Sequence, residues 1–466
     1  MKRRVVVLGA GVGGAASAAL LARSGHEVTL LEAHPYPGGR CASFDRDGFR
    51  FDFGVHMFSR GEKGPHGEVA RRIGVNLPWI LRDPPCWVTG GTGWDFPLDI
   101  KPLRRRMYLA RRLAVRTRNL AGAYRLFHLL LSGRRAEEYD SLTLQALAFR
   151  YTDDENLHRF LTCVAQLYFA LSYEEASAGE FAWSFSRMFQ DASFGYPSGG
   201  AGAIPGCYLE GLKRSGGKVL YGQRATRILV EDGAARGVET ASGAFQADLV
   251  VSSAGLLRTV ELAGREHFPE AYVRRAEEAR GSNAYVTIKY GLDRRVVRHP
   301  VVFHIPELPP EEMFRHLKEG GAPRDPFLFM PVPTEWDPSL APAGCQIVIA
   351  GTPAPAGAPP ELCKVILDAV HGRVCDLFPG IESATLWQSR STRADVTEMT
   401  GHPEGEAIGL AQTPDQVGPR RPDIETPVRG LLLVGADAGA RGIGTEMAAA
   451  SALRLADWVE SRFDRN

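Results

Sequence analysis

The first forty residues contain a glycine pattern that few folds accommodate. Four aliphatic residues, Val5 to Leu8, precede the run Gly9-Ala10-Gly11-Val12-Gly13-Gly14. An apolar run followed by G-x-G-x-x-G is typical of a buried parallel strand that turns into a helix. Gly9 permits the tight turn, Gly11 lets the backbone approach a diphosphate, and Gly14 lets the helix pack on the strand. The pattern therefore predicts a βαβ unit that binds a dinucleotide at a helix N-terminus.

The residues that follow continue such a unit. We predict a helix over about 15–23, which Ser24-Gly25 ends because glycine suits the left-handed residue after a helix. A second strand over 27–31 brings Glu32 eighteen residues after Gly14, where a carboxylate can accept hydrogen bonds from both ribose hydroxyls. A purely structural βαβ unit is the alternative interpretation. The candidate binding residues of this segment are Gly9, Gly11, Gly13, Gly14, Glu32 and Ala33.

Length and charge exclude several classes of protein. With 466 residues the chain is long enough for two domains or one large domain with an insertion. Its 55 basic and 54 acidic residues nearly balance, so we predict no nucleic-acid partner. The seven cysteines show no C-x-x-C spacing, so we predict neither a disulfide framework nor a bound metal. Without a signal-like segment or a long apolar run, we expect a cytoplasmic protein with no membrane-spanning helix.

Two further segments carry a more specific pattern. Pro37-Gly38-Gly39-Arg40 is followed by Gly48-Phe49-Arg50-Phe51-Asp52-Phe53-Gly54. The stretch 430–459 reads as a strand, a glycine loop and an alanine-rich helix. With the first motif, these segments resemble the superfamily of flavin-containing amine oxidases and phytoene desaturases. The resemblance covers about 1–60, 190–265 and 385–466, and it implies FAD as the cofactor.

The resemblance also implies the fold. We expect an α/β protein with a Rossmann-like, discontinuous FAD-binding domain of the GR2 type and an inserted, mixed α+β substrate domain. The FAD-binding domain is predicted over 1–100, 190–265 and 385–466, and the substrate domain over 101–189 and 266–384. Within the middle FAD segment, Asp232-Gly233 and Ser242-Gly243 predict turns that divide 219–253 into strands.

Further binding residues follow from the resemblance. In this family the arginine of the GGR segment lies by the diphosphate, and the segment after it passes near the flavin. The backbone at Ala225 meets the adenine, Ala254 returns beside the first motif, and Asp437 receives or orients hydrogen bonds at the ribityl or diphosphate region. The N–H groups at 443–445 open the last helix beneath the flavin N1–C2=O edge, where a helix N-terminus stabilises negative charge. The remaining candidates are Gly38, Gly39, Arg40, Val55, His56, Gly435, Gly442, Ile443, Gly444 and Thr445.

The sequence offers few side chains for catalysis. His56 is the candidate proton donor or acceptor, and a packed structural histidine is the alternative. Lys289 resembles the active-site lysine of some amine oxidases, but we interpret it as a surface lysine on a strand. We interpret Cys41 as a small buried cysteine and not as a site of covalent flavin attachment. The hydride chemistry is therefore assigned to flavin N5.

A basic amphipathic segment lies between the motifs. Over about 103–131 the spacing of apolar residues predicts one helix with an apolar stripe, and arginines lie mainly opposite that stripe. Such a helix can lie at an anionic membrane surface, which predicts peripheral contact with the inner membrane face. The alternative is a helix that covers the core and presents a solvated basic face.

These features predict an FAD-dependent oxidoreductase that moves hydride between flavin N5 and a C–H bond of an apolar substrate. The expected activity is that of a carotenoid or polyprenoid desaturase or, in reverse, a saturase. Because we identify no nicotinamide-binding domain, electrons would pass to a quinone, oxygen or a small redox protein. The alternatives are an FAD-dependent amine or amino-acid oxidase and a flavin-free prenyl-lipid carrier. The substrate, the reaction direction, the electron acceptor and the oligomeric state are not determined by the sequence.

Overall fold

Short runs rich in valine and leucine form the five strands of a parallel sheet, as is typical of strands buried between two layers. The computed structural model describes residues 2–89 and 93–463. In chain order the strands are β1 (Arg4–Leu8), β2 (Glu27–Leu31), β3 (Ser43–Arg46), β4 (Phe49–Asp52), β5 (Trp79–Leu81), β6 (Cys86–Thr89), β7 (Trp94–Phe96), β8 (Gly195–Pro197), β9 (Lys218–Leu220), β10 (Ala225–Glu231), β11 (Ala234–Thr240), β12 (Gly243–Gln246), β13 (Leu249–Ser252), β14 (Ala284–Leu292), β15 (Val301–His304), β16 (Leu328–Pro331), β17 (Gln346–Ala354), β18 (Thr385–Ser391) and β19 (Leu431–Leu433).

Helices connect and cover these strands. In chain order they are α1 (Val12–Arg23), α2 (Pro65–Ile73), α3 (Leu103–Arg112), α4 (Leu120–Ser132), α5 (Leu144–Phe149), α6 (Glu155–Phe169), α7 (Ala178–Asp191), α8 (Ala203–Arg214), α9 (Leu256–Ala263), α10 (Glu270–Glu278), α11 (Pro310–Met313), α12 (His316–Glu319), α13 (Pro333–Trp336), α14 (Pro360–Leu377), α15 (Ile381–Ala384), α16 (Arg393–Thr400) and α17 (Gly444–Phe463). Among the described helices, none combines the length and the apolar character that a membrane span requires.

A parallel sheet carries the first glycine motif. In the described part of the chain its strand order is β19-β13-β1-β2-β9, and every neighbouring pair is parallel. Strands β13 and β19 are buried along their whole length, as strands covered on both faces must be. Helix α1 is buried from Val12 to Ala22 and packs against both α8 and α17. The predicted Rossmann-like α/β class is confirmed.

The strand and turn predictions for 219–253 are also confirmed. Strands β10, β11 and β12 form an antiparallel sheet, and the two turns between them lie at Asp232-Gly233 and beside Ser242-Gly243. Asp232 and Gly233 both adopt positive φ, at 50° and 69°, which aspartate tolerates and glycine adopts freely. Strand β13 then enters the parallel sheet directly beside β1.

A larger mixed sheet lies under the long helix α14. Among the described strands its order is β18-β14-β17-β16-β15-β6-β7, and only the β15–β6 pair is parallel. Strands β6, β7 and β18 fall within ranges that the sequence assigned to the FAD-binding domain, yet they pair with this sheet. The division into domains stays a prediction, and we propose that these strands belong with the substrate domain.

The segment predicted as one helix over 103–131 is two helices, α3 and α4, so that prediction is wrong. The chain turns at Ala114, which adopts a left-handed φ of 52°. The turn lets the Arg116 N–H donate to the buried carboxylate of Asp154 at 2.8 Å, and Asn119 Nδ2 donates to the same carboxylate at 3.4 Å. Because a buried carboxylate needs such donors, this contact outweighs local helix propensity.

Candidate active site

Two glycine segments that are distant in sequence meet at the edge of the parallel sheet. A Cβ placed on Gly13 would lie only 2.9 Å from the Cα of Gly435, so the two backbones are in direct contact there. Gly435 follows β19 and has a φ of 120°, which glycine accommodates far better than other residues. Gly13 lies in the first turn of α1, which packs side by side with α17, the helix that follows the Gly435 segment. Their N-termini therefore open toward the same space.

A cavity of about 370 Å³ occupies that space. Its wall combines the first motif, the GGR segment, the turn before β10, the residues after β13 and the start of α17. The cavity brings together the predicted binding residues Gly9, Gly11, Gly13, Glu32, Ala33, Gly38, Gly39, Arg40, Val55, His56, Ala225, Ala254, Gly435, Asp437, Ile443, Gly444 and Thr445. Their individual roles in binding stay predictions.

Gly14 and Gly442 were also predicted to bind the cofactor, but they do not line the cavity wall. A Cβ on Gly14 would lie 2.0 Å from the carbonyl oxygen of Gly9, so this glycine permits the close packing of helix and turn. The N–H of Gly442 donates to Glu180 Oε1 at 2.9 Å. Both glycines therefore stabilise segments next to the cavity wall without lining the cavity.

Gly11 faces the cavity without any packing requirement. A Cβ at this position would meet no heavy atom within 4 Å. Its φ of −67° and ψ of 175° suit any residue. Neither the backbone conformation nor packing within the protein requires glycine at this position. A glycine is instead explained by a ligand that approaches the backbone closely.

Glu32 is held at the rim of this space by backbone donors. Its Oε2 accepts a hydrogen bond from the Ala10 N–H at 2.6 Å, and its Oε1 accepts one from the His34 N–H at 2.8 Å. These contacts fix the carboxylate while leaving lone pairs on both oxygens. The arrangement can accept hydroxyl donors of a ribose.

Arg40 supplies an unsatisfied donor to the same cavity. Its Nε donates to the Glu406 carbonyl at 3.0 Å, and its Nη2 is buried without a hydrogen-bond partner among the described residues. Glu406 Oε1 lies 3.7 Å from Nη2 and pairs with His402. Burial alone would raise the pKa of Glu406, but the contact with His402 and the charges of His402 and Arg40 lower this pKa to about 2. A diphosphate oxygen would satisfy the guanidinium, so the residues present fit a dinucleotide.

The comparisons with known proteins agree with this geometry. The family described as flavin containing amine oxidoreductase matches residues 12–459. The chain belongs to this family. The zeta-carotene-forming phytoene desaturase of Myxococcus xanthus is 29% identical over 99% of this chain and 95% of its own length. The lycopene-forming phytoene desaturase of Pseudescherichia vulneris is 26% identical over 98% and 99%.

A solved structure supports the fold of this flavin-containing amine oxidoreductase. An oxidoreductase from Methanosarcina mazei superposes with a TM-score of 0.77 at 23% identity, covering 97% of this chain and 100% of its own. Family and cavity together confirm the predicted FAD cofactor and an FAD-dependent oxidoreductase. The flavin-free carrier is thereby set aside.

Asp437, at the late glycine segment of this flavoenzyme, has backbone partners already. Its Oδ2 accepts from the Leu256 N–H at 3.3 Å, and its Oδ1 accepts from the Leu410 N–H at 3.1 Å. Leu256 is the first residue of α9, so the carboxylate lies at a positive helix end. Asp437 thus joins β19 to α9 and positions the adjoining cavity wall.

His56 is a neutral histidine in the cavity wall. Its Nε2 lies 3.1 Å from the Arg40 carbonyl oxygen, which can only accept, so Nε2 carries the proton. Burial, with a smaller contribution from the charge of Lys289, lowers the pKa of His56 to about 4, although the hydrogen bond to the Arg40 carbonyl opposes the shift. The neutral ring holds the GGR segment and leaves Nδ1 as an acceptor. Its proposed role in proton transfer stays a prediction.

Lys289 is buried, so its interpretation as a surface residue is wrong. Its side chain is 1% exposed because β14 lies between β17 and β18. Its Nζ donates to Thr287 Oγ1 at 2.9 Å and to Ser391 Oγ at 2.7 Å, and both hydroxyl residues line the cavity. Burial lowers the pKa of this lysine to about 8. Cys41 is buried as expected, with Sγ 3.3 Å from the Ala201 carbonyl.

Glu446 is a wall residue that the sequence reasoning missed. It lies in the first turn of α17, and its Oε1 accepts from the Arg60 N–H at 3.0 Å. Burial raises the pKa of Glu446 to about 7, although the charge of Arg60 opposes the shift. An acidic residue directly after the glycine loop was visible in the sequence, but its burial depends on contact with a distant segment.

Replacing Glu446 with glutamine is expected to change the pH dependence of stability. The Glu446 carboxyl ionises near pH 4.5 in the unfolded chain and near pH 7 in the folded protein. Its contribution to the free energy of unfolding therefore falls as pH rises between these values. Glutamine does not ionise and does not suffer this loss. Between pH 4.5 and pH 7 the free energy of unfolding of Glu446→Gln should therefore rise by up to about 3 kcal/mol relative to that of the unmodified protein. Urea unfolding at pH 5 and pH 8 measures the difference. The control is Glu460→Gln, on the exposed side of α17, which should show no such pH-dependent gain. A difference between Glu446→Gln and the unmodified protein that does not change with pH would contradict the raised pKa of Glu446.

Proposed function

We propose that this protein is a desaturase, or in reverse a saturase, of an apolar polyene or polyprenoid substrate. The observation that carries the proposal is a small apolar pocket of about 40 Å³ that adjoins the cofactor cavity and is called the apolar extension below. The printed names of the relatives from Myxococcus xanthus and Pseudescherichia vulneris, both phytoene desaturases, support the same substrate class.

Met57, Leu167 and Tyr168 line both the cofactor cavity and the apolar extension, so the two spaces are neighbours. It lies between helices α6 and α7 on one side and strands of the mixed sheet on the other. The remaining lining residues are Cys86, Val88, Phe96, Phe160, Cys163, Val164, Phe185, Met188, Phe194, Phe303, Ile305 and Phe327. None of these described lining residues carries a charge. A charged amine or carboxylate would lose its hydration here without a partner, whereas a hydrocarbon chain gains from burial.

Each part of the site has a role in this reaction. When bound, FAD accepts or supplies a hydride at N5. We propose that Arg40 and the N-terminus of α1 hold the diphosphate and that Glu32 holds the ribose. The start of α17 would stabilise negative charge at the flavin edge. The apolar extension excludes water and orients a C–H bond of the substrate.

The assay that tests the proposal compares polyenes with amines. Phytoene in detergent micelles should bleach the flavin absorbance under anaerobic conditions and yield a product that absorbs at longer wavelength. Lycopene should reoxidise the reduced protein if the saturation direction operates. Putrescine and benzylamine should leave the flavin oxidised. Bleaching by an amine with no response to either polyene would contradict the proposal.

Narrowing the apolar extension is expected to slow the reaction with polyenes. Val164→Trp places a large ring in the extension, where Val164 is 9% exposed. The expected loss in kcat/KM for phytoene is about tenfold, because the substrate and the ring compete for the same volume. Val365→Trp on α14, where the native side chain is 42% exposed, is the matched control. An unchanged kcat/KM in a folded, yellow Val164→Trp protein contradicts the assignment.

An amine or amino-acid oxidase is the second candidate, and Lys289 is the observation that favours it. A buried lysine bonded to two wall hydroxyls provides a fixed positive charge beside the cavity. Such a group suits a reaction that handles protons near the flavin. Release of hydrogen peroxide with putrescine or an amino acid would favour this candidate.

We also propose that the reduced protein passes its electrons to a quinone, oxygen or a small redox protein. The sequence contains no second dinucleotide fingerprint, which supports an acceptor other than a nicotinamide. Reoxidation of the bleached protein by menadione, air or ferredoxin, measured side by side, separates these acceptors. Faster reoxidation by NADP⁺ than by any of them would contradict the proposal.

A basic and apolar surface on α3 and α4 supports contact with an anionic membrane. Leu103, Met107, Leu120 and Tyr124 are 60%, 65%, 43% and 47% exposed, and Arg106 lies 5.7 Å from the ring centre of Tyr124. The arginines exposed around them are Arg104, Arg105, Arg111, Arg112 and Arg125, while the nearby Arg116 and Arg118 pair with Asp153. No acidic residue occurs between Asp99 and Glu137. Apolar side chains within a basic surface favour insertion at the headgroups of anionic lipids.

Removing the two most exposed apolar side chains should weaken this contact. Leu103→Ser with Met107→Ser is expected to lower binding to phosphatidylglycerol vesicles about tenfold, because both side chains would lose apolar burial. Vesicle co-sedimentation at low salt measures the change. Leu386→Ser, at a residue that is 58% exposed on β18, is the matched control. Equal binding by the double variant and the unmodified protein contradicts the proposed membrane surface.

A further inference from the structure

A cluster of three different metal-ligating side chains lies outside the cofactor cavity. His371 and Cys375 are one helical turn apart on α14, and Glu382 lies on α15. One nitrogen, sulfur or oxygen atom from each lies within 4.8 Å of the others. Within residues 2–89 and 93–463, no other group of three histidine, cysteine or acidic residues meets that condition. The spacing His-x-x-x-Cys differs from C-x-x-C, so the cysteine spacing in the sequence did not predict this cluster.

The separations in the cluster are close to those around a tetrahedral ion. His371 Nε2 lies 3.5 Å from Glu382 Oε1, and Cys375 Sγ lies 3.9 Å from both ring nitrogens of His371. In a zinc site, bond lengths of about 2.0–2.3 Å place neighbouring ligand atoms about 3.4–3.6 Å apart. The separation between His371 and Glu382 already matches this value, whereas Cys375 Sγ would have to move toward the Nε2 side of the ring before all three side chains could bind one ion. A water molecule can take the fourth position because Glu382 is exposed.

Tyr290 supplies the outer contact that a ligating histidine needs. Its hydroxyl lies 3.0 Å from His371 Nδ1. When Nδ1 donates its proton to this hydroxyl, Nε2 keeps the lone pair that binds a metal. Tyr290 is 1% exposed on β14, so its hydroxyl is held by the sheet. The histidine ring is therefore oriented before any ion arrives.

We propose that His371, Cys375 and Glu382 bind one zinc ion, with water as the fourth ligand. Imidazole, thiolate and carboxylate together match the ligand preferences of zinc. The ion would join α14 to α15 directly before β18, whose last residue, Ser391, lines the cofactor cavity. The site would thus stabilise the attachment of β18 to the mixed sheet. It is separate from the flavin chemistry and stands whether or not the proposed substrate is correct.

Cobalt substitution tests the site directly. The FAD-loaded protein is treated with EDTA, reduced with a phosphine and titrated with Co²⁺ without oxygen, and difference spectra remove the flavin absorbance. The expected result is one Co²⁺ per chain with a thiolate-to-cobalt charge-transfer band, which one equivalent of Zn²⁺ displaces. Zn²⁺ should also raise the thermal midpoint of the same protein.

Variants separate the cluster from other cysteines and histidines. Cys375→Ser should abolish the charge-transfer band, and His371→Ala should weaken Zn²⁺ binding more than tenfold. Tyr290→Phe should weaken it about tenfold through loss of the outer hydrogen bond. Cys345→Ser, at another partly buried cysteine, should bind as the unmodified protein does. Absence of the band in the yellow, folded protein, or its persistence in Cys375→Ser, overturns the proposal.

Discussion

Replacing Arg441 with methionine is expected to lower the free energy of unfolding by about 3–5 kcal/mol, the usual effect of removing one partner from a buried ion pair. The guanidinium Nη1 lies 2.9 Å from Asp140 Oδ1 and 3.1 Å from Glu180 Oε2. The side chains of Glu180 and Asp140 are 0% and 7% exposed. Without Arg441, the carboxylates of Asp140 and Glu180 would remain buried side by side, with Arg421 as the remaining cation that acts on Glu180. Urea unfolding followed by tryptophan fluorescence measures the loss.

The same substitution should also loosen the flavin site. Glu180 Oε1 accepts the Gly442 N–H at 2.9 Å, so this cluster holds the loop that leads into α17. Burial raises the pKa of Glu180, and loss of Arg441 should raise it further. A carboxylate with a raised pKa in the folded state destabilises the fold increasingly as pH rises. The deficit of Arg441→Met should therefore be smaller at pH 5 than at pH 8.

A surface pair provides the control for Arg441. Arg214 and Glu210 form an ion pair on α8 in which the side chains are 62% and 55% exposed. Arg214→Met should change stability by less than about 1 kcal/mol, since exposed pairs contribute little. An equally small loss of stability in Arg441→Met, or a loss that does not depend on pH, would contradict the proposal that Arg441, Asp140 and Glu180 hold the loop before α17.

Replacing Gly11 with alanine is expected to weaken FAD binding about 10- to 100-fold while leaving the protein folded. The added methyl group would meet no protein atom within 4 Å and requires no unusual φ. It would project into the space where the diphosphate is proposed to lie, and overpacking of about 1–3 kcal/mol corresponds to that range of affinity. Titration of the apoprotein with FAD, followed by flavin fluorescence, measures the change. The thermal midpoint of the apoprotein should stay the same.

Two other glycines test the specificity of this result. Gly206 lies on an exposed part of α8 with no atom near its hypothetical Cβ, so Gly206→Ala should retain full FAD affinity. Gly14→Ala should instead destabilise the fold, because its Cβ would collide with the Gly9 carbonyl. Full FAD affinity in Gly11→Ala would show that the diphosphate lies elsewhere.

The parts of the fold that the sequence predicted well are those set by neighbouring residues. The strand Val5 to Leu8, the glycine turn and the helix after it depend on local pattern, and Asp232-Gly233 has the conformational preferences of a turn. The convergence of the early and late glycine segments followed from resemblance to a family and not from spacing alone. The structure shows it as a direct contact between Gly13 and Gly435.

The parts that the sequence did not predict depend on distant contacts. Lys289 becomes buried only because β14 is flanked by β17 and β18. The helix break at Ala114 is fixed by Asp154, which lies some forty residues later. Glu446 is desolvated by the segment that contains Arg60. In each case the deciding partner is remote, so neither periodicity nor propensity could identify it.

The parallel sheet combines strands from the start and the end of the chain, and this has a consequence for folding during synthesis. Strand β19 joins a sheet whose first strands, β1 and β2, leave the ribosome about 400 residues earlier, or roughly 20–80 s at ordinary rates of translation. Helix α1, which α17 covers in the finished protein, stays partly uncovered throughout that interval. The cavity wall that the start of α17 supplies is therefore complete only after this helix has been made.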